Sequence, residues 1–420
     1  MTTTASTAST RPADARPDPT PADLIRTVVD LRPELVAAQA ATEERTYYSP
    51  EMHEAFRAAG LYRVVQPKRY GGLEFDFPTF ARLQLEMARG CVSTAWCWAL
   101  ASSHALQIGS YFPEAAQEQI FGDGDFRCAS VASPDAKAQR VEDGWRLDGT
   151  VRYCSGIPYS THFMGQAMIA GLPPQEAAEH LMLYVAPRSE WTMLDDWGDM
   201  LGLRGSGSHS IRLEDGRIPA EFVVEDTNMV NVDVSGGTPG LALHGNPMYV
   251  GRALAPFTIS LAALTTGAGY CALDEFERQM RTRKTSIPPM VSRLGDGDYQ
   301  RWYGTGLAKL ATAEALTIRC AEEHMEICER TAAGGAPYSE EEEQRIGIIA
   351  REAIVQVWEA VDEALFRNIG SSAIKAGQPF ERVWRDLTMI ASHRNTSFRE
   401  TSFRKLAQLH LGLPISDGAR

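Results

Sequence analysis

Apolar residues return every three or four positions between Pro21 and about Phe121, where Leu24, Val28, Leu31 and Leu35 form one stripe and Phe80, Leu83 and Met87 another. That period belongs to a helix with one buried face. Gly71-Gly72, following Pro67, interrupts the chain between the two stripes. From Arg127 to about Val224 the pattern changes to alternating or β-branched runs, such as Leu181 to Val185 and Phe222 to Val224, separated by Gly, Asp and Pro. These predict strands. After Gly236 to Pro247, helical stripes return: Leu307, Leu310, Ala311, Ala315, Ile318, Ala321, Met325 and Cys328 on one, and Ile346, Ile349, Ala353, Val357, Ala360 and Ala364 on the next. Successive one-sided helices predict a bundle. The expected fold is mainly α with a central β-domain: a tail over 1–20, a helical domain over 21–125, a middle β-domain over 126–240 and a C-terminal helix bundle over 241–420.

Several local features carry expectations of their own. Asp148-Gly149 reads as a hairpin turn, and Ser155, in Cys154-Ser155-Gly156, as a half-buried serine on a strand. The acidic run Ser339 to Glu343 reads as the solvated start of a helix, where a serine caps and carboxylates favour the N-terminus. The first twenty residues, rich in Thr, Ala, Ser and Pro, lack the apolar stretch of a secretory signal and read as disordered. No apolar run approaches the roughly 18 residues needed to cross a bilayer, so no membrane partner is expected.

Composition narrows the function. A net charge of -13 over 420 residues argues against a nucleic-acid partner, which calls for a basic face, and favours a small-molecule enzyme. The seven cysteines are odd in number and form no C-x-x-C pair, as expected of a chain from a reducing cytoplasm. No H-x-x-x-H or clustered carboxylate spacing suggests a metal. Gly202-Leu203-Arg204-Gly205-Ser206-Gly207-Ser208 is glycine-rich but matches neither a P-loop nor a dinucleotide fingerprint.

Several motifs together point to one family. Ala58-Ala59-Gly60-Leu61-Tyr62-Arg63-Val64-Val65-Gln66-Pro67 with Tyr70-Gly71-Gly72 resembles the opening of acyl-CoA dehydrogenase-like proteins. Cys91-Val92-Ser93-Thr94-Ala95-Trp96, His104 and Phe112-Pro113-Glu114 resemble the flavin-dependent hydroxylase branch of that superfamily. Tyr153-Cys154-Ser155-Gly156 is similar to the β-domain motif beside the flavin, and Arg382-Val383-Trp384-Arg385-Asp386 with His393 to the C-terminal signature of two-component monooxygenases.

The resemblance implies an N-terminal helical domain, a β-barrel-like middle domain and a C-terminal four-helix bundle, assembled as a homotetramer. It implies reduced FAD or FMN delivered by a separate NAD(P)H flavin reductase, with O2 as co-substrate. Ser155 would hydrogen-bond flavin N5 through its hydroxyl or amide, Tyr153 would pack on the ring, and Ser130 and Ser133 would lie along its edge. Arg283 would reach a flavin phosphate, often across a subunit boundary, while Arg204, Ser206 and Arg394 would meet substrate. The family's catalytic carboxylate is missing: aligning on Arg385-Asp386 puts Arg394 at one of its two positions, and no Asp or Glu lies between Asp233 and Asp274 to supply the other. His393 stands in its place as a proton acceptor from substrate, the competing reading being a histidine that caps a helix. Oxygenation of a small natural-product-type substrate is expected, either a phenolic ring or the amine of a nucleotide-linked amino sugar. A true acyl-CoA dehydrogenase and a non-catalytic flavin binder are the alternatives.

Overall fold

The computed structural model describes residues 18–415 except 123. The expected tail therefore falls largely outside the described residues, but its last positions belong to the fold: Asp18 accepts from Arg63, and Thr20 forms a capping box with Asp23. The first helices are α1 (Pro21–Arg45), α2 (Pro50–Ala59), α3 (Phe77–Gly90), α4 (Val92–Tyr111) and α5 (Glu114–Phe121). α4 carries no Asp, Glu, Lys or Arg and is buried on nearly every side, as an apolar helix must be. It is the central post of the molecule.

The middle layer is one seven-stranded sheet of order β5-β6-β2-β1-β3-β4-β7. Its elements are β1 (Cys128–Val141), β2 (Gly144–Val151), β3 (His162–Ile169), helix α6 (Pro174–Glu179), β4 (Leu181–Pro187), β5 (Thr192–Met193), β6 (Ile211–Ile218) and β7 (Val223–Val224). That order ends at β5 on one edge and β7 on the other, yet β6 and β4, on either side of the three middle strands, approach each other, so the sheet curls into the expected barrel-like form. Asp148-Gly149 is not the hairpin turn expected of it. It lies inside β2, opposite Lys137 and Ala136, where the register against β6 shifts. A Cβ at Gly149 would meet the Asp135 carbonyl oxygen at 2.6 Å, which only glycine avoids in this bulge.

The third layer holds α7 (Pro239–His244), α8 (Leu254–Thr282), α9 (Gly297–Ala332) and α10 (Glu340–Glu359), the last running through a π-helical stretch at Ala360–Phe366 into α11 (Arg367–Ile369). α12 (Pro379–Ala391), α13 (Arg394–Ser397) and α14 (Arg399–His410) follow. α8 is in fact long and apolar enough to span a membrane, but 89% of its apolar window is buried against its neighbours. Gly267 lets it press against α3: a Cβ there would stand 2.2 Å from the Leu85 carbonyl oxygen.

The acidic run starts α10 through a capping box of Ser339 and Glu342. It is not wholly solvated. Glu343 is only 3% exposed and accepts from the Arg252 guanidinium and from the first amides of α8, Leu254 and Ala255. A carboxylate there completes orphan amide donors that no residue of α8 satisfies.

Candidate active site

After β2 the chain turns sharply, with Tyr153 at φ 63, and the next residues are clamped to the glycine-rich loop: the Cys154 amide donates to the His209 carbonyl and the Gly156 amide to that of Ser206. Ser155 therefore lies in a turn, not on a strand. Its amide donates to the Tyr153 carbonyl, leaving only the hydroxyl for a ligand. That hydroxyl heads a buried chain: Ser155 Oγ is 2.7 Å from Ser208 Oγ, which is 2.7 Å from Ser206 Oγ. From α4, Trp96 Nε1 donates to Ser155 Oγ at 3.0 Å.

The other face of Trp96 meets His393. Their rings are 5.7 Å apart and nearly perpendicular, and Phe257 at the start of α8 lies 6.0 Å from the same imidazole. His393 caps α13, its Nδ1 accepting the Asn395 amide. The capping reading of His393 is thus realised. Since Nδ1 is an acceptor, the neutral ring carries its hydrogen on Nε2. Burial holds its pKa down at about 4, so it is neutral at pH 7 and presents an N–H, not a lone pair. In this form the ring offers a donor at Nε2, where the sequence reading expected a proton acceptor.

Phe257 also lines a cavity between α4 and α8. Ser103, His104, Gln107 and Ser110 of α4 form its polar side, and Met248, Pro256 and Phe77 part of its apolar side. His104 is the mirror of His393. Its Nδ1 donates to the Cys128 carbonyl at 2.7 Å, and burial lowers its pKa to about 4, leaving Nε2 as a neutral acceptor. The signal for it was in the sequence: Ser103, His104, Gln107, Ser110 and Tyr111 share one helical face of an otherwise apolar segment.

The glycine-rich loop is docked on α12. Asp386 accepts the Leu203 amide at 2.6 Å, Arg385 donates to the Leu201 carbonyl, and a Cβ on Gly202 would strike the Arg385 carbonyl at 2.1 Å. Burial pushes the Asp386 carboxyl up to about 7, although the Leu203 amide, Arg385 and Arg382 pull it down. The unfolded carboxyl ionises near 4 and the folded one near 7, so wild-type stability falls as pH rises through that window and levels off above it. An Asp386→Asn variant has no such slope. Urea unfolding midpoints at pH 5 and pH 8 should show wild type losing ground to the variant, and equal shifts in both would refute the assignment.

Other expected residues are placed as follows. Tyr153 is 56% exposed with its ring 5.7 Å from that of Trp197, which excludes a core role and leaves an aromatic face open for a ligand. Ser133 lies in the irregular stretch of β1 where register shifts against β3, and Ser130, paired with Met164, lies just before it, their hydroxyls turned to Asp135 and Met229 respectively. Ser206 joins the hydroxyl chain. Arg204 binds the Met200 carbonyl and faces Glu43 at 3.7 Å, while Arg394 lies over the Phe398 ring. Neither lines the cavity. Arg283 stands at the far end of α8, roughly 40 Å from Phe257 at 1.5 Å per residue, and contacts Ser372. Within one chain it is not part of this site. His209 is structural, with Nε2 bonded to Thr46 and Nδ1 accepting the Asp196 and Trp197 amides.

An open aromatic face, a loosened strand edge and a buried hydroxyl suit a flat heteroaromatic ring, and the residues present fit a flavin.

Two family models match the chain: "Acyl-CoA dehydrogenase, N-terminal domain" over residues 22–121 and "Acyl-CoA dehydrogenase, C-terminal domain" over residues 259–398. A pigment production hydroxylase of Rhodococcus sp. (strain ATCC 21145) is 26% identical over 403 residues, spanning 95% of this chain and 99% of the relative. The oxygenase component of p-hydroxyphenylacetate 3-hydroxylase from Acinetobacter baumannii is 23% identical, spanning 91% of this chain and 87% of its own. Among solved structures, XiaF from Streptomyces sp., determined with FADH2 and glycerol, superposes with a TM-score of 0.83 at 23% identity, covering 94% of this chain and 96% of that one. Carrying both terminal domains of that family and related along nearly its whole length to named hydroxylases, the chain belongs to the acyl-CoA dehydrogenase-like proteins, in their flavin-dependent monooxygenase branch.

Proposed function

We propose that the chain is the oxygenase component of a two-component flavin-dependent monooxygenase that hydroxylates a phenolic ring. The carrying observation is a pair of neutral histidines of opposite tautomer: His104 lines the cavity and offers an acceptor, and His393, packed against the Phe257 ring that lines the same cavity, offers an N–H. Bound reduced flavin supplies the electrons that activate O2 for transfer of one oxygen atom. The protein's own groups do the rest. His104 takes a hydrogen bond from the phenol and draws density into the ring, making it a nucleophile. His393 holds a proton at Nε2, over the wall formed by Trp96 and Phe257, for the oxygen that leaves. The apolar wall excludes water, which protects the activated oxygen.

A nucleotide-linked amine is less well supported. Its diphosphate would need free cations, and Arg204 and Arg394 face Glu43 and Phe398 instead. A separate reductase accords with the "oxygenase component" in the name of the Acinetobacter relative. The test mixes the protein with chemically reduced flavin, oxygen and a panel of phenols, an aminosugar nucleotide and an acyl-CoA. A phenol product heavier by one oxygen atom supports the reading. Anaerobic bleaching of oxidised flavin on the protein by the acyl-CoA would sink it.

A further inference from the structure

The cavity beside His104 has polar groups whose hydrogen bonds are nearly all accounted for. Ser110 gives its hydrogen to the Leu106 carbonyl at 2.7 Å, and Tyr111 gives its own to the Gly251 carbonyl at 3.1 Å. Ser260 accepts from Gln84, and His324 is bonded to Tyr338. Among the described residues that line the cavity, Gln107 alone keeps a buried side-chain oxygen with no hydrogen-bond partner. A buried acceptor left so is costly, and a ligand that brings the missing donor recovers the loss.

Gln107 stands three residues beyond His104 on α4, and residues so spaced are neighbours on a helix, their Cβ atoms roughly 5–6 Å apart. His104 Nε2 and Gln107 Oε1 are thus two acceptors on side chains that line one cavity. A ligand that serves both must carry two donors set apart from each other. Two hydroxyls at non-adjacent positions of one ring meet that need. Charge narrows the class further. Arg252 is the cation among the described lining residues, and its Nε donates to Glu343 Oε2 at 2.7 Å, both side chains being largely buried. Burial holds the two lining histidines, His104 and His324, neutral. The Arg252–Glu343 pair is neutral as a unit, so a carboxylate on the ring would be buried without a counter-charge, an expensive state.

We propose that Gln107 is a specificity-determining residue that accepts a hydrogen bond from a second hydroxyl on the phenol, and that the substrate is an uncharged ring bearing two non-adjacent hydroxyls. The proposal rests on the phenol binding at His104. The first hydroxyl donates to His104 Nε2 and the second to Gln107 Oε1, each filling an acceptor that the fold leaves open.

The experiment measures dissociation constants by calorimetry on the whole protein, anaerobically and saturated with reduced flavin. The probes are resorcinol and hydroquinone, each beside its monomethyl ether, together with phenol and para-hydroxybenzoate. The proteins are wild type, Gln107→Met and His104→Ala. In wild type the better-fitting dihydroxy ring should bind about tenfold more tightly than its ether, whose methylated oxygen cannot donate. Gln107→Met, unbranched and of similar size, should bring that ratio close to one, since methionine offers no comparable acceptor. Para-hydroxybenzoate should bind wild type more weakly than phenol does. No preference over the ethers in wild type, a preference that survives in Gln107→Met, or para-hydroxybenzoate binding more tightly than phenol overturns the proposal. Those outcomes leave the proposed function standing where phenol binds and His104→Ala weakens it. If phenol fails to bind, or binds His104→Ala equally well, the placement of the substrate is itself wrong, and the proposal falls with it.

Discussion

Replacing His393 with alanine should lower the yield of hydroxylated product about a hundredfold, within the range a positioned proton donor or acceptor contributes, while flavin affinity stays close to wild type. Oxygen should still be consumed, its electrons appearing as hydrogen peroxide. The reason is geometric. The Asn395 amide occupies Nδ1, so the only hydrogen the ring can offer is on Nε2, beside Trp96 and Phe257. Alanine also removes the cap of α13, and loss of a cap costs about 1 kcal/mol. His393→Asn separates the two roles, because an amide oxygen can cap α13 yet supplies no proton of comparable acidity. Peroxide release from the asparagine variant, with its unfolding midpoint unchanged, would establish the chemical role. Full coupling in that variant would reduce His393 to a cap.

Replacing His104 with alanine should act on a different quantity. Phenol affinity falls by roughly tenfold or more, the loss of one buried hydrogen bond to a strongly polarised group, whereas the fraction of bound phenol that is oxygenated falls less. Titrating the protein with a phenol and following its tryptophan emission measures this directly. The pH dependence is equally specific. Because His104 takes up a proton only near pH 4, phenol affinity in wild type should be flat from pH 5.5 to 8.5. A step near 6.5, where an ordinary imidazole titrates, would contradict the buried acceptor. Depressed values at His104 and His393 also mean that the unfolded chain gains protons first as pH falls, so stability supported by these residues is lost between about 6.5 and 4.

The three-layer order was legible because its signal is local: the period of apolar positions changes where helix gives way to strand and back. Features that depend on what a strand faces were not. Asp148-Gly149 has the composition of a turn, yet the tight approach of the Asp135 carbonyl makes it a bulge inside β2. Glu343 looks like the rest of its acidic run, and only the arrival of α8 and Arg252 buries it. At the site, Ser155 and His393 stood out through resemblance, but the direction of each proton did not. Backbone partners from other segments determine it: Asn395 for His393, and Cys128, across from α4, for His104. Arg204 and Arg394 looked like substrate ligands because a guanidinium is a frequent anion partner. The side chains that claim them, Glu43 and Phe398, are identified only by the fold.

The hydroxyl chain, the indole and the imidazole come from Trp96, Ser155, Ser206, Ser208 and His393, so the corner is drawn from all three layers and closes with a residue near the end of the chain. Loop closure over such separations is slow compared with the local formation of helices. During synthesis, the first two layers can assemble their serines and tryptophan well before the last histidine leaves the ribosome. At that stage the serines and the indole can be in place while the imidazole that packs on Trp96 is not. If His393 supplies the proton as proposed, oxygen chemistry waits for the third layer to fold.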